Sequence, residues 1–294
     1  MIWIKHSILV TFCFLLMSCN GQNSQNTEYF EGTRAYELAK AVERGDTSII
    51  RELVEKDSTL LKVHDPVTGS NCLSLAIDLE QFGSFKKLLE LGTNPNAINP
   101  LTQYSVLMEA FQPFGNQFEW RREHKYAKLL LEHGANPNYA VERDFINEKG
   151  HHISATSPLM EASEYDLDAV KLLLKYGANP HKKLQEDQST PFSRAVRRGK
   201  IDIVNFYIDS VRVDVHQPMA TVIRKPKNER VTFYIQDYVV NKFTKARLTG
   251  NTDEVERLKR ENPDIEKANE DLWQLIQKLK GLGVNFKDYN YKLI

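Results

Sequence analysis

Lys171-Leu172-Leu173-Leu174-Lys175-Tyr176-Gly177-Ala178-Asn179-Pro180-His181 decides how this chain is read, because nearly the same string stands earlier as Lys128-Leu129-Leu130-Leu131-Glu132-His133-Gly134-Ala135-Asn136-Pro137-Asn138. A degraded copy runs Lys87-Leu88-Leu89-Glu90-Leu91-Gly92-Thr93-Asn94-Pro95-Asn96. An apolar helical run closed by Gly reads as a helix with a left-handed end. Its return along the chain reads as an internal repeat.

A second motif precedes these strings. It is clearest in Thr190-Pro191-Phe192-Ser193-Arg194-Ala195 and Ser157-Pro158-Leu159-Met160-Glu161-Ala162, and weaker in Asn71 to Ala76 and Ser105 to Ala110. The alanines set the period: from Ala41 to Ala76 is 35 residues, to Ala110 is 34, to Ala162 is 52, to Ala195 is 33 and to Ala246 is 51. Motif and period together resemble the ankyrin repeat, whose unit is about 33 residues and opens on Thr-Pro-Leu-His-x-Ala. The resemblance covers Tyr36 to Asp288, with six full units and a capping half-unit at Leu275 to Gly283. It implies an all-α solenoid of paired antiparallel helices joined by short β-hairpin fingers. Each pair cannot bury its apolar stripes alone, so neighbours must stack. Val170, Leu172 and Leu173 supply one stripe and Leu159 and Ala162 the other. Gly45, Gly199 and Gly250 fall where the turn within a pair needs a left-handed residue, and Ser210 falls where the second helix of the fifth unit should end in Gly.

Two of the alanine steps are too long, and a structural repeat does not need the extra residues. Nine lie between the third unit's helices, around Pro113 to Arg122, with Trp120 beside Arg121 and Arg122. The others lengthen two fingers, at about residues 135–156 and 211–235. The second carries β-prone runs, Ala220 to Arg224 and Arg230 to Tyr234, around a turn rich in Lys. Both insertions occupy the same slot of the repeat. Stacking is expected to bring them to one edge, flanking an ordinary finger at Asn179 to Ser189 and forming a cleft about two units wide. Tyr139, Phe145, Phe233 and Tyr234, with Arg224, Lys225 and Arg230, are the candidate partner-binding residues, since aromatics and Arg dominate interfaces. The bland reading of the basic tip is a loop kept soluble by its lysines.

The N-terminus has a different character. Ile8 to Met17 is apolar except for Thr11, too short for a bilayer span and suited to the h-region of a secretory signal. Leu16-Met17-Ser18-Cys19 resembles the bacterial lipobox, which implies that Cys19 becomes the lipidated first residue after removal of residues 1–18. A polar tether follows to residue 34, then the repeat array over 35–288 and a tail, 289–294. Cys72 is then the one remaining thiol, so the fold must be held by its core.

Chemistry-bearing motifs are scarce. No phosphate loop, nucleophile elbow or His-Glu-x-x-His string occurs. His133 stands where Tyr176 and Leu91 stand in sister units, so it reads as a repeat position. His151 and His152 are adjacent, a poor geometry for chelating one metal. Lys+Arg and Asp+Glu both number 39, so no overall charge draws the chain to nucleic acid. The expectation is therefore a non-enzymatic, monomeric lipoprotein of the cell envelope, facing the periplasm of a Gram-negative bacterium. It would need no cofactor and no metal, and would capture a protein partner, with an immunity or inhibitor protein as the concrete form of that role. The competing expectation is a metal-dependent enzyme or hydrolase built on the long fingers around His151 and His152.

Overall fold

A computed structural model describes residues 27–111, 124–224 and 229–286. The signal segment, Cys19, the tether as far as Asn26, the third unit's insertion and the tail at 289–294 lie outside the described residues, as does Lys225. The rest of the expected tether is ordered, with Thr27–Phe30 a 3-10 helix that buries Phe30 in the core. The chain folds as short helices in pairs: α1 (Tyr36–Glu43) with α2 (Thr47–Lys56), α3 (Cys72–Asp78) with α4 (Phe82–Glu90), and α5 (Val106–Glu109) with α6 (Lys125–Glu132). Then come α7 (Pro158–Tyr165) with α8 (Leu167–Lys175) and α9 (Pro191–Arg198) with α10 (Ile201–Phe206). First helices pack side by side, α1 on α3, α3 on α5, α5 on α7 and α7 on α9; among second helices α2 packs on α4, α4 on α6 and α8 on α10. A single apolar cluster runs through these contacts from Phe30 to Phe286.

The residues that mark the motif form it. Asn71, Ser105, Ser157 and Thr190 each cap a first helix by accepting backbone N–H bonds, which satisfies donors that a helix start leaves orphaned. Pro191 and Pro158 sit in the first turn, where a missing N–H costs nothing. Ala76, Ala162 and Ala195 are buried where the helices approach closely. Gly134 and Gly177 end the second helices at φ 84° and 85°. Leu173 is fully buried and Lys175 exposed, as their spacing predicts.

Asparagines join one unit to the next. Asn96 Nδ2 donates to Gly134 O (3.0 Å) and its Oδ1 accepts from Asn136 N (2.7 Å). Asn138 repeats this on Gly177 O (2.9 Å) and Asn179 N (2.7 Å). The second Asn of Asn-Pro-Asn is thus a clasp between units.

Two details of the expected register differ. Ser210 does not end the fifth unit's second helix. A π-turn at Tyr207–Val211 inserts a residue, and Arg212 takes the left-handed position at φ 59°. The sixth unit is also not the pair anchored on Ala246. After the second long finger comes α11 (Ile235–Val239), which packs on α9 and so continues the row of first helices. The row of second helices continues through α14 (Ile265–Gly281), which packs on α10. Between them, α12 (Lys242–Thr249) and α13 (Thr252–Glu261) pack on each other and on α14. Their buried Phe243, Ala246 and Leu258 lie outside the main apolar cluster. The expected half-unit at Leu275 to Gly283 is the end of α14 and the turn after it, where Val284 N bonds Leu279 O as Ala178 N bonds Leu173 O.

Candidate protein-binding face

The first long finger carries β1 (Phe145–Ile146) and β2 (His152–Ile153), antiparallel, with Phe145 opposite Ile153. Val141 and Thr156 bridge at its base. The finger does not project freely but leans over the earlier units. Tyr139 Oη donates to Gln103 O (2.9 Å), Tyr104 Oη to Ser154 O (3.1 Å), Asn147 Nδ2 to Leu101 O (3.3 Å) and Lys149 Nζ to Pro66 O (2.8 Å). The second long finger is β3 (Ala220–Arg224) paired with β4 (Glu229–Phe233) in register from Ala220 opposite Phe233 to Arg224 opposite Glu229.

The cleft expected between these fingers is not open. The ordinary finger between them bonds to both. Asp144 N donates to Glu186 Oε2 (2.9 Å), Lys182 pairs with Glu142, and on the far side Thr221 N donates to Asp187 O (3.1 Å). Three fingers therefore form one continuous wall. Each short two-stranded ribbon is marginal alone, and side-by-side bonding is how it stays ordered.

The candidate residues are distributed along this wall. Tyr139 is half-buried and spends its hydroxyl on Gln103, so burial holds its pKa above the ordinary value. Phe145 is half-buried, while its neighbour Ile146 is 71% exposed. Phe233 lies against Tyr238, ring centroids 6.0 Å apart. Tyr234 is exposed at the start of α11 and its N–H bonds Asp237. Arg230 is exposed. Arg224 closes the strand pair opposite Glu229, and Lys225 lies outside the described residues. Arg230, Phe233 and Tyr234 thus follow one another along β4 and into the start of α11; Tyr139 and Phe145 belong to the other finger.

Sequence reasoning missed the side chains that the first helices turn toward these fingers. Glu164 is 7% exposed and held between two guanidinium groups, Arg194 Nη1 at 3.1 Å and Arg198 Nε at 2.5 Å. Arg194 also donates from Nη2 to Ala155 O (2.7 Å), tying the helix to the first long finger. Arg198 stacks over Tyr165, 5.6 Å from its ring centre, and donates to its hydroxyl. Arg197 pairs with Asp187 of the middle finger at 3.7 Å. Nearby, burial pushes the Glu161 carboxyl above its usual range although Thr156 donates to it at 2.7 Å. Burial, with Glu161 close, pushes Tyr104 up to about 12. From Tyr165 through Arg198 and Arg197 to Tyr238 and Phe233, α7, α9, α11 and β4 present one face of aromatic rings and arginines. The signal was there: Glu161, Glu164 and Tyr165 hold the same motif positions as Arg194, Arg197 and Arg198. Acid facing base in adjacent copies predicts pairing across units.

His151 and His152 share the tip of the first long finger, and His152 Nε2 stands 3.5 Å from Asp144 Oδ2. Among the described residues no three His, Cys, Asp or Glu side chains gather as a metal site would need. Cys72 is buried in α3, and burial pushes its thiol up to about 12. No described helix is long and apolar enough to cross a membrane.

The fourth unit has a Ser-capped first helix, an amphipathic second helix and a Gly-Ala-Asn-Pro turn clasped by the preceding Asn138. Residues 156–183 match the family model of the ankyrin repeat. The match spans that unit's helices and turn and supports an ankyrin-repeat family for the chain. Ankyrin repeats are protein-interaction modules and typically non-enzymatic. Comparison with curated proteins returns no match.

Proposed function

We propose that this protein is a non-enzymatic ankyrin solenoid, lipid-anchored in the cell envelope through Cys19, that captures a protein partner on the face running from Tyr165 to Tyr234. The continuous wall of three fingers beside exposed Tyr and Arg side chains is the observation that carries this reading. Tyr and Arg are the residues that most often dominate binding energy, because they bring large rigid area and directional donors. Their positions are also fixed in advance: Arg198 is held by Glu164 and stacked on Tyr165, and Arg197 is held by Asp187. Pre-organised side chains lose less entropy on binding. An immunity or inhibitor role, with the partner a toxin or enzyme of the envelope, fits a tethered monomeric solenoid facing the periplasm.

Affinity capture from solubilised envelopes tests the reading. The wild type should retain a discrete partner, and Arg197→Ala with Tyr234→Ala, both exposed, should lose it while melting within a few degrees of wild type. Retention of the same partner at full strength by the double variant would place binding elsewhere. In parallel, Cys19→Ser should abolish acyl labelling and move the protein to the aqueous fraction; unchanged fractionation without acyl label in either protein removes the anchor.

A further inference from the structure

The asparagine clasp is missing at the junction of the first and second units, and the residues that carry the groups it would satisfy line a cavity. Gly92 has the same place and backbone as Gly134 and Gly177, with φ of 91°, 84° and 85°. The turn bonds agree as well: Thr93 N to Leu88 O matches Ala135 N to Leu130 O and Ala178 N to Leu173 O. At the two later junctions, Gly O and Asn N receive the carboxamide of Asn96 or Asn138 from the unit before. In the first unit the chain runs instead through a 3-10 helix, Ser58–Lys62, and Lys62 stands where Asn96 and Asn138 stand later. Gly92 O and Asn94 N consequently have no hydrogen-bond partner among the described residues.

Gly92 and Asn94 are among the residues lining a cavity of about 500 Å³ between the first and second units. Leu61, Leu91, Ala97 and Ile98 supply apolar walls, and Lys62 and His64 stand with them. His64 is oriented by a 2.8 Å contact from Nδ1 to Gly69 O. Lys62 makes no ion pair among the described residues. At the two later junctions one carboxamide spans the matching acceptor and donor, so here the same pair, beside apolar walls, is complementary to a single functional group. A carboxylate offers no hydrogen to Gly92 O and an ammonium no acceptor to Asn94 N; a primary carboxamide satisfies both.

We infer that this cavity is a binding site for the side-chain carboxamide of an Asn or Gln on a partner chain, received as the protein receives its own Asn96 and Asn138. The amide oxygen accepts from Asn94 N, its NH₂ donates to Gly92 O, and the methylenes lie along Leu61, Leu91 and Ile98. The site is separate from the Tyr165 to Tyr234 face and does not rest on that reading.

The test is a titration of the isotope-labelled full chain in detergent, followed by amide resonances, with N-acetyl-asparagine N-methylamide as the probe. The Asn94 amide should shift saturably, and the leucine analogue of the probe, similar in shape but without the amide, should leave it in place. Acetamide as a third arm separates the sources: a response to acetamide equal to that of the blocked asparagine means that a free small amide suffices, which overturns recognition of a chain-borne side chain. Asn96→Ala vacates the equivalent pair at the next junction, so Asn136 N should then respond to the blocked asparagine as well. No saturable shift at Asn94 in the wild type, or an equal shift with the leucine analogue, overturns the site. A folded Asn96→Ala protein in which Asn136 stays silent overturns the equivalence on which it rests.

Discussion

The fourth unit and the C-terminal unit are built from the same two rows of helices, yet one is contiguous in the chain and the other is split. In the fourth, α7 and α8 follow each other directly, and the turn after them is clasped by Asn138. In the last, α11 and α14 hold the stacking positions while α12 and α13 stand between them. The inserted pair carries its own Asn cap, buried Ala and left-handed Gly250, at φ 70°. Local signature therefore identifies a helix hairpin, whereas membership of the stack depends on which apolar face meets its neighbours. Both Ile276 and Leu258 are buried, but only Ile276 belongs to the main apolar cluster.

Substitutions in the two regions can break or sharpen this contrast. Leu173→Ala, in the middle of the stack, should destabilise the protein by about 2–5 kcal/mol, as truncations of buried Leu do. Lys175→Ala on the same helix is exposed and should change stability by about 0.5 kcal/mol or less. Equal small effects in denaturant unfolding would mean that α8 is not a stacking helix. Ile276→Ala, fully buried on α14, should lower global stability by a similar amount to Leu173→Ala. Leu258→Ala should instead raise hydrogen exchange within Thr252–Glu261 and leave exchange of α9 and α10 unchanged, because the inserted pair can open by itself. If Leu258→Ala loosened α10 as much as Ile276→Ala does, the pair would be a stacked unit after all.

Much of this was legible in the sequence. Caps, alanines and glycines named the helix pairs from Ala41 to Ala195, since each residue answers a local demand of the backbone. The fingers were legible as insertions and the strands of the second by their β-prone runs. Their mutual bonding was not, because Asp144 N to Glu186 and Thr221 N to Asp187 O join segments with no shared pattern. The sixth unit was misplaced for a related reason: Ala246 satisfies the local motif, and α11 is too short to announce itself. Arg212 was hidden by the π-turn, which shifts the count by one residue.

A smaller effect is expected at the junction of the third and fourth units, where His124 Nε2 stands 3.4 Å from Asp166 Oδ1. The His124 ring at that distance and hydrogen bonds from the first N–H groups of α8 hold the Asp166 carboxyl down at about 2. Its folded value is thus below its unfolded one, so its contribution is fully present above about pH 4 and is lost as pH falls toward 2. Asp166→Ala should cost about 1 kcal/mol at neutral pH through the lost helix cap, and its difference from wild type should shrink over that acid range. A difference that stays constant from pH 5 to pH 2 would remove the carboxylate from the account.

The most direct test of the binding face is site-specific photocrosslinking in intact envelopes. A benzophenone side chain at Tyr165 or Tyr234 should give a covalent adduct of one common mass, and the same group at Glu52, exposed on α2 of the second-helix row, should give none. Adducts from Glu52 alone, or no adduct from either tyrosine position while the protein remains folded and anchored, would contradict a partner-binding face built on the three fingers and the first helices.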